Sequence, residues 1–148
     1  MTQAYTNRFT EVERLGGVLY PGNYVPGDYY TAFTHMGNSQ RAVFIVLVGD
    51  MGAGGTVNSY ILESSDGTLA TAQYIAAKAA GVAQVLGGGD DALAIELRTE
   101  ELDIRDGFCW VAGYVNVTGK ATDLSGTLLL GCSNQVPVPT PVWDAIVD

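Results

Sequence analysis

The chain is poor in the residues on which most catalytic, metal-binding and nucleic-acid-binding sites depend. Among 148 residues there is one histidine, His35, and there are two cysteines, Cys109 and Cys132. Any Ser-His-Asp or Cys-His nucleophile system would have to use His35. It sits between Thr34 and Met36 in a stretch that reads as a strand, with no Gly-x-Ser-x-Gly elbow anywhere in the chain. A histidine held by structural hydrogen bonds is the expectation, and the chain is not expected to be an enzyme. Two cysteines and one histidine cannot close a zinc site without a carboxylate, and nothing has zinc-ligand spacing, so no metal or cofactor is expected. The loop carboxylates Asp90 and Asp91, and Glu100, Glu101, Asp103 and Asp106, lack EF-hand spacing and read as solvated charge. The glycine-rich stretch Gly49 to Gly55 has no following Lys-Ser/Thr and leads into a strand, so it is a turn and not a phosphate cradle.

Positive charge is scarce too. Seven Lys and Arg stand against 16 Asp and Glu, a net charge of −9, with the basic residues scattered. Affinity for phosphate backbones comes mainly from Lys and Arg releasing counterions, so nucleic acid is not an expected partner. Long apolar runs are absent: the longest, Ala42 to Val48, falls far short of the roughly 20 residues of a membrane helix, and no membrane partner is expected. Residues 1 to 15 carry Arg8, Glu11, Glu13 and Arg14 and lack the apolar core of a secretory signal, which leaves a reducing cytoplasm as the expected place of synthesis.

Strands and turns are what the chain does have. Nineteen glycines punctuate short runs of aromatic and β-branched residues. Leu15 to Asp28 reads as a loop with a short strand at Gly17 to Tyr20. Strands follow at Tyr29 to Met36, at Arg41 to Val48 (a continuous apolar run after Arg41, as if buried on both faces), and at Thr56 to Glu63. Thr68 to Leu86 is ambiguous between helix and strand, with a strand favoured at Ala70 to Ile75. Asp91 to Arg98 alternates, Leu93, Ile95 and Leu97 inward, Glu96 and Arg98 outward. Seven or so strands without a reliable long helix predict an all-β fold, a two-sheet β-sandwich or jelly roll over residues 15–134, flanked by an N-terminal arm, 1–14, and a Pro-rich C-terminal arm, 135–148.

The last third folds on paper into a hairpin over Phe108 to Ser133, with Cys109 opposite Cys132 and Val111 opposite Leu130. One face is then Cys109, Val111, Val115, Val117, Leu124, Leu128, Leu130 and Cys132, an uncharged core face. Opposed cysteines are within reach of a disulfide worth about 3 kcal/mol, although a reducing compartment favours two buried thiols. The other face carries Trp110, Ala112, Tyr114, Thr127 and Leu129, too apolar for water alone, which points to an interface. In the C-terminal arm, Pro137, Pro139 and Pro141 hold the chain extended and Val142, Trp143, Ile146 and Val147 offer apolar anchors, for docking on a neighbour or for folding back on its own domain. Tyr20, Tyr24, Tyr29 and Tyr30 cluster around a Pro/Gly loop. Aromatics so placed serve either protein interfaces or sugar-binding faces. The expected interface residues are therefore Tyr24, Tyr29, Tyr30, Trp110, Tyr114, Leu129, Val142, Trp143 and Ile146.

Two stretches carry a family resemblance. Tyr30 to Asp66, containing Gln40-Arg41-Ala42-Val43-Phe44-Ile45-Val46-Leu47-Val48-Gly49 and a Gly/Ala-rich turn into Val57 to Ser64, resembles small structural proteins of tailed bacteriophages. So does Ile95-Glu96-Leu97-Arg98-Thr99-Glu100-Glu101-Leu102-Asp103 before the Gly-aromatic strand Gly107 to Val117. The resemblance implies a capsid decoration or cement protein: an oligomeric β-sandwich that binds the outside of a phage head, with the major capsid protein as partner and the virion surface as location after synthesis in the host cytoplasm. It carries over no catalytic residues. A bracing protein at a shell symmetry axis is expected to be a closed ring, a homotrimer first. The alternatives are a tail or neck component and a carbohydrate-binding module using the tyrosine loop.

Overall fold

The computed structural model describes residues 14–37, 39–83 and 89–131. The two expected arms, apart from Arg14, and with them Cys132, Val142, Trp143 and Ile146, lie outside the described residues. Within those residues the chain forms nine strands: β1 Arg14–Tyr24, β2 Gly27–Tyr30, β3 Thr34–His35, β4 Arg41–Met51, β5 Thr56–Ser64, β6 Gln73–Ala83, β7 Asp91–Arg98, β8 Trp110–Thr118 and β9 Thr122–Gly131. Sheet A has the order β1-β9-β4-β7. Sheet B has the order β2-β8-β5-β6, with β3 also paired to β8. Every pairing is antiparallel. Most connections cross from one sheet to the other, which is the winding of a jelly roll, and the expected all-β two-sheet sandwich is what forms. Three short 3-10 turns, at Leu69–Thr71, Thr99–Glu101 and Ile104–Asp106, are the only helical pieces among the described residues.

Alternation along each strand builds the core. Ala42, Phe44, Val46 and Val48 of β4, Leu124, Leu128 and Leu130 of β9, and Ile95 and Leu97 of β7 face Val57 and Ile61 of β5 and Val111, Val115 and Val117 of β8. Phe44 joins the two sheets. A Cβ at Gly113 of β8 would collide with its ring, and one at Gly126 of β9 would lie 3.1 Å from it, so the ring occupies the space both glycines leave.

The C-terminal hairpin does not form as a ladder. Val111 lies opposite Glu63 and Thr34, whereas Leu130 lies opposite Ala42 and Arg14, because β8 and β9 belong to different sheets. Two strands facing each other across a sandwich bury the same alternate residues as two paired in one sheet, so the pattern predicts the buried set and not the partner. Val111, Val115, Val117, Leu124, Leu128 and Leu130 are indeed all buried. Cys109 is not: it is half-buried just before β8 and bridged to no cysteine among the described residues, Cys132 lying outside them.

Other boundaries move for local reasons. β1 runs through Gly16, Gly17, Pro21 and Gly22 because two register irregularities absorb them on an edge strand, where proline and bulges are tolerated. Tyr29 to Met36 splits between β2 and β3 as Thr31 turns inward, donating its amide to the Gly113 carbonyl and accepting the Gly113 amide at Oγ1. The strand expected at Ala70 to Ile75 begins later, at Gln73, after a 3-10 turn. β4 is buried on one face only, with Val43 and Ile45 half-buried and Leu47 54% exposed on the other. In β7 the expected alternation holds, with Ile95 and Leu97 buried and Glu96 and Arg98 exposed.

Candidate functional site

The core uses the inner faces of both sheets, which leaves the outer faces as the broad surfaces open to recognition among the described residues. Cross-strand register puts the outer side chains of sheet A in rows: Leu15, Leu129, Val43 and Glu96; then Val18, Thr127, Ile45 and Ala94; then Ser125, Leu47 and Ala92. Charge enters only at the margins, with Glu96 on the edge strand β7 and Arg41 opposite Arg98 at one end. The centre is a largely aliphatic field of Leu15, Val18, Val43, Ile45, Leu47 and Leu129, interrupted by the hydroxyls of Thr127 and Ser125. Directly opposed partners on this face are what place Leu129 here and not beside Trp110 and Tyr114, as the paper hairpin implied.

The outer face of sheet B has a different chemistry. One row reads Tyr30, Tyr114, Tyr60 and Ala79 across β2, β8, β5 and β6, and the next reads Asp28, Asn116, Asn58 and Gly81. The rings form a ladder: Tyr30 stacks on Tyr114 at 5.1 Å and 22°, and Tyr60 lies on its other side at 5.5 Å and 30°. Tyr74, 61% exposed, meets Tyr60 edge-on at 5.2 Å. Asp28 Oδ1 accepts from the Tyr114 hydroxyl at 2.7 Å and from the Asn116 amide at 2.6 Å. Those donors hold the Asp28 carboxyl below the usual carboxylate range, the Asn116 amide contributing most. Burial, reinforced by the hydrogen bond to Asp28, pushes the Tyr114 hydroxyl well above the ordinary phenol value.

Between Tyr60, Tyr74, Tyr114 and β6 lies a cleft of about 480 Å³, also lined by Ala77, Lys78, Ala79 and Asn116. A bulge in β6 makes its wall: between the pairs Leu62/Tyr74 and Tyr60/Ala79, β5 has one residue and β6 has four. Ala77 in that bulge sits at φ +62°, a left-handed conformation that a β-carbon disfavours. Lys78 bolts the bulge to sheet A, its Nζ 2.8 Å from Glu101 and donating to the Glu96 carbonyl at 2.8 Å. The hydrogen-bonded Lys78 ammonium first, and then the Arg98 amide donating to Oε2, lower the Glu101 pKa.

The tyrosine cluster read from the sequence is therefore divided. Tyr24 and Tyr29 pack edge-to-face at 4.7 Å against the core and donate their hydroxyls to the Tyr20 and Val25 carbonyls, so they brace the β1–β2 connection. Only Tyr30 joins the outer face. Trp110 stands half-buried beside His35, 5.0 Å away and edge-on, with Gly67 packed over its ring. Tyr60, Asn58, Asn116 and Asp28 escaped the sequence reading although a signal was there. Asp28-x-Tyr30 and Asn58-x-Tyr60 repeat, and Tyr114-x-Asn116 is the same pair reversed, as an antiparallel neighbour requires.

The structure also joins His35 to Cys109, Nε2 to Sγ at 3.1 Å. A thiol and an imidazole at that distance can share a proton, but among the described residues no carboxylate or amide side chain orients the ring as a nucleophile system requires. Among the described residues no three His, Cys, Asp or Glu side chains gather to hold a metal ion. No described helix is long and apolar enough to cross a membrane.

No protein-family model matches the chain, and no curated protein sequence matches it. Among solved structures it is similar to a chain of infectious bursal disease virus Gt strain, at 12% identity and TM-score 0.54, covering 84% of this chain and 34% of that one. The Gx strain gives 12% identity, TM-score 0.52, and coverage of 84% and 32%. A chain of the Triatoma virus empty capsid aligns over 90% of this chain and 96% of its own at 10% identity and TM-score 0.43. The first two likenesses show a shared fold, and this chain spans about a third of the length of those two.

Proposed function

We propose that the chain is a structural protein of a virus particle, and within that class a decoration or cement protein on the head of a tailed bacteriophage. The observation that carries the reading is the aliphatic outer face of sheet A. Leu15, Val18, Val43, Ile45, Leu47 and Leu129 lie in consecutive rows with charge only at the edges, a field of the kind that is buried against another protein surface. The virus origin of the solved chains with this fold supports a virion role. In this reading the face lies against the major capsid protein. Arg14 opens β1 opposite Leu130 near the end of β9, so the first and last described residues of the chain lie at one end of sheet A. Residues 135–148, with Trp143 and Ile146 as anchors, link copies into a ring, a trimer first. The net charge of −9 keeps the protein away from packaged nucleic acid during assembly.

Cryo-electron microscopy of heads assembled with and without the polypeptide tests this. Regular surface knobs that vanish with it, together with heads that break at milder heat, are the expected result. An unchanged shell with loss of density at the tail moves the protein to the tail or neck. Deletion of 135–148 is expected to weaken shell binding while the sandwich stays folded by circular dichroism, and undiminished binding overturns the linking role.

A further inference from the structure

We infer that the outer face of sheet B is a second binding site, independent of the particle-binding face, and that its ligand is an uncharged carbohydrate, a short run of pyranose rings. A pyranose presents a face of C–H bonds and a rim of hydroxyls. It therefore needs an aromatic surface beside a set of fixed hydrogen-bonding groups. Tyr30, Tyr114 and Tyr60 form one row, and Asp28, Asn116 and Asn58 form the next. The rows lie two residues apart along the strands, roughly 7 Å, close to the width of one sugar ring.

The ladder is also left open at one place. Tyr114 has a ring on each side, but the row continues onto β6 as Ala79, whose methyl cannot cover the Tyr60 ring, and the cleft of about 480 Å³ lies there. That volume falls within the roughly 300–1,000 Å³ of small-molecule sites. The same substitution of small for large recurs in the polar row, where β6 supplies Gly81. A Cβ at Gly81 would come 2.5 Å from Asn58 Oδ1, so the absent side chain lets the amide lie across the strand. The β6 bulge and the positive φ of Ala77 hold the opposite wall, a local strain retained beside a cleft.

Charge selects the class of ligand. Lys78, the cation lining the cleft, is already engaged by Glu101 and the Glu96 carbonyl, while Asp28 and Glu101 are anionic. Phosphorylated, sulfated or sialylated ligands would meet repulsion with no free cation lining the cleft to offset it. A folded protein partner is disfavoured because Ala77, Ala79 and Gly81 present little apolar surface around the rings, unlike the aliphatic field of sheet A.

The probes are neutral hexamers of glucose (α- and β-linked), mannose, galactose and N-acetylglucosamine, with heparin fragments as the anionic arm. The full chain is titrated by saturation-transfer NMR. At least one neutral hexamer is expected to bind in the micromolar to millimolar range, with heparin inert. Tyr74→Ala removes an exposed ring, and Ala79→Tyr extends the ladder into the cleft. Each is expected to weaken binding by at least about tenfold. Leu47→Glu, on the other face, is expected to leave glycan binding unchanged. Absence of binding to every neutral hexamer, a preference for heparin, or undiminished binding in Tyr74→Ala overturns the site. Shell binding reads sheet A alone, so failure here and failure of the particle role are separate results.

Discussion

The two outer faces of this molecule cover the same core with sheets of similar size, yet they differ in what they ask of a partner. Sheet A offers branched aliphatic side chains whose attraction has no preferred direction and scales with area, so it suits a broad, flat contact. Sheet B offers stacked rings and a row of amides and a carboxylate. Those attract only groups that arrive in the right orientation, so they suit a small ligand with many hydroxyls. A jelly roll makes such a division cheap to evolve. Period-two alternation assigns every second residue to the shared core and leaves each outer row free to vary.

The largest effect belongs to the residue both faces depend on. Phe44 fills the space beside Gly113 and Gly126, one in each sheet, and truncation would open a cavity between them. Phe44→Ala is expected to cost about 3–5 kcal/mol in urea unfolding and to degrade shell and glycan binding together. Loss of only one binding activity at unchanged stability would mean that the sheets are not coupled through this ring.

Next in size is the separation of the faces. Ile45→Glu and Leu47→Glu place carboxylates in the middle of the aliphatic field without touching the core. Each is expected to reduce particle binding by at least about tenfold while sugar binding and the unfolding midpoint hold. If both substitutions are silent on particles, the contact lies elsewhere on the chain and the contrast between the faces loses its functional meaning.

How much of this was legible in the residues depends on the length scale involved. Alternation identified Val111, Val115, Val117, Leu124, Leu128 and Leu130 as buried, since burial depends on a residue's own face. It could not tell that β8 and β9 lie in opposite sheets, because pairing depends on strands far away: β8 finds β2 and β5, and β9 finds β1 and β4. For the same reason Leu129 and Tyr114, neighbours on a paper hairpin, end on opposite sides of the molecule. Tyr24, Tyr29 and Tyr30 looked equivalent in the sequence, yet Tyr29 points to the core and Tyr30 away from it, one residue apart on β2. Tyr74 was beyond reach, since it depends on a 3-10 turn and a bulge in a stretch whose alanines suit helix as well as strand.

The smallest expected effect uses acid to part the two faces. Asp66, in the connection between β5 and β6, accepts at Oδ1 from the Thr68 amide and from the hydroxyls of Ser64, Thr68 and Thr71. These donors, Thr71 first, lower its pKa to about 2. An unfolded aspartate titrates at about 3.9, so the folded value is the depressed one. Its contribution to stability is therefore complete above the unfolded value and disappears as pH falls from about 4 to about 2. The connection leads directly into Tyr74 and carries Gly67 against Trp110, both on sheet B. Thermal midpoints of the parent chain and Asp66→Asn are expected to differ near neutrality and to converge towards pH 2, with Tyr74 ring resonances shifting over the same interval and those of Leu47 and Ile45 staying in place. A gap between the two midpoints that persists at pH 2 would show that the asparagine fails for its shape and not for its missing charge. Simultaneous movement of the Leu47 resonances would show that the sheets yield to acid as one body.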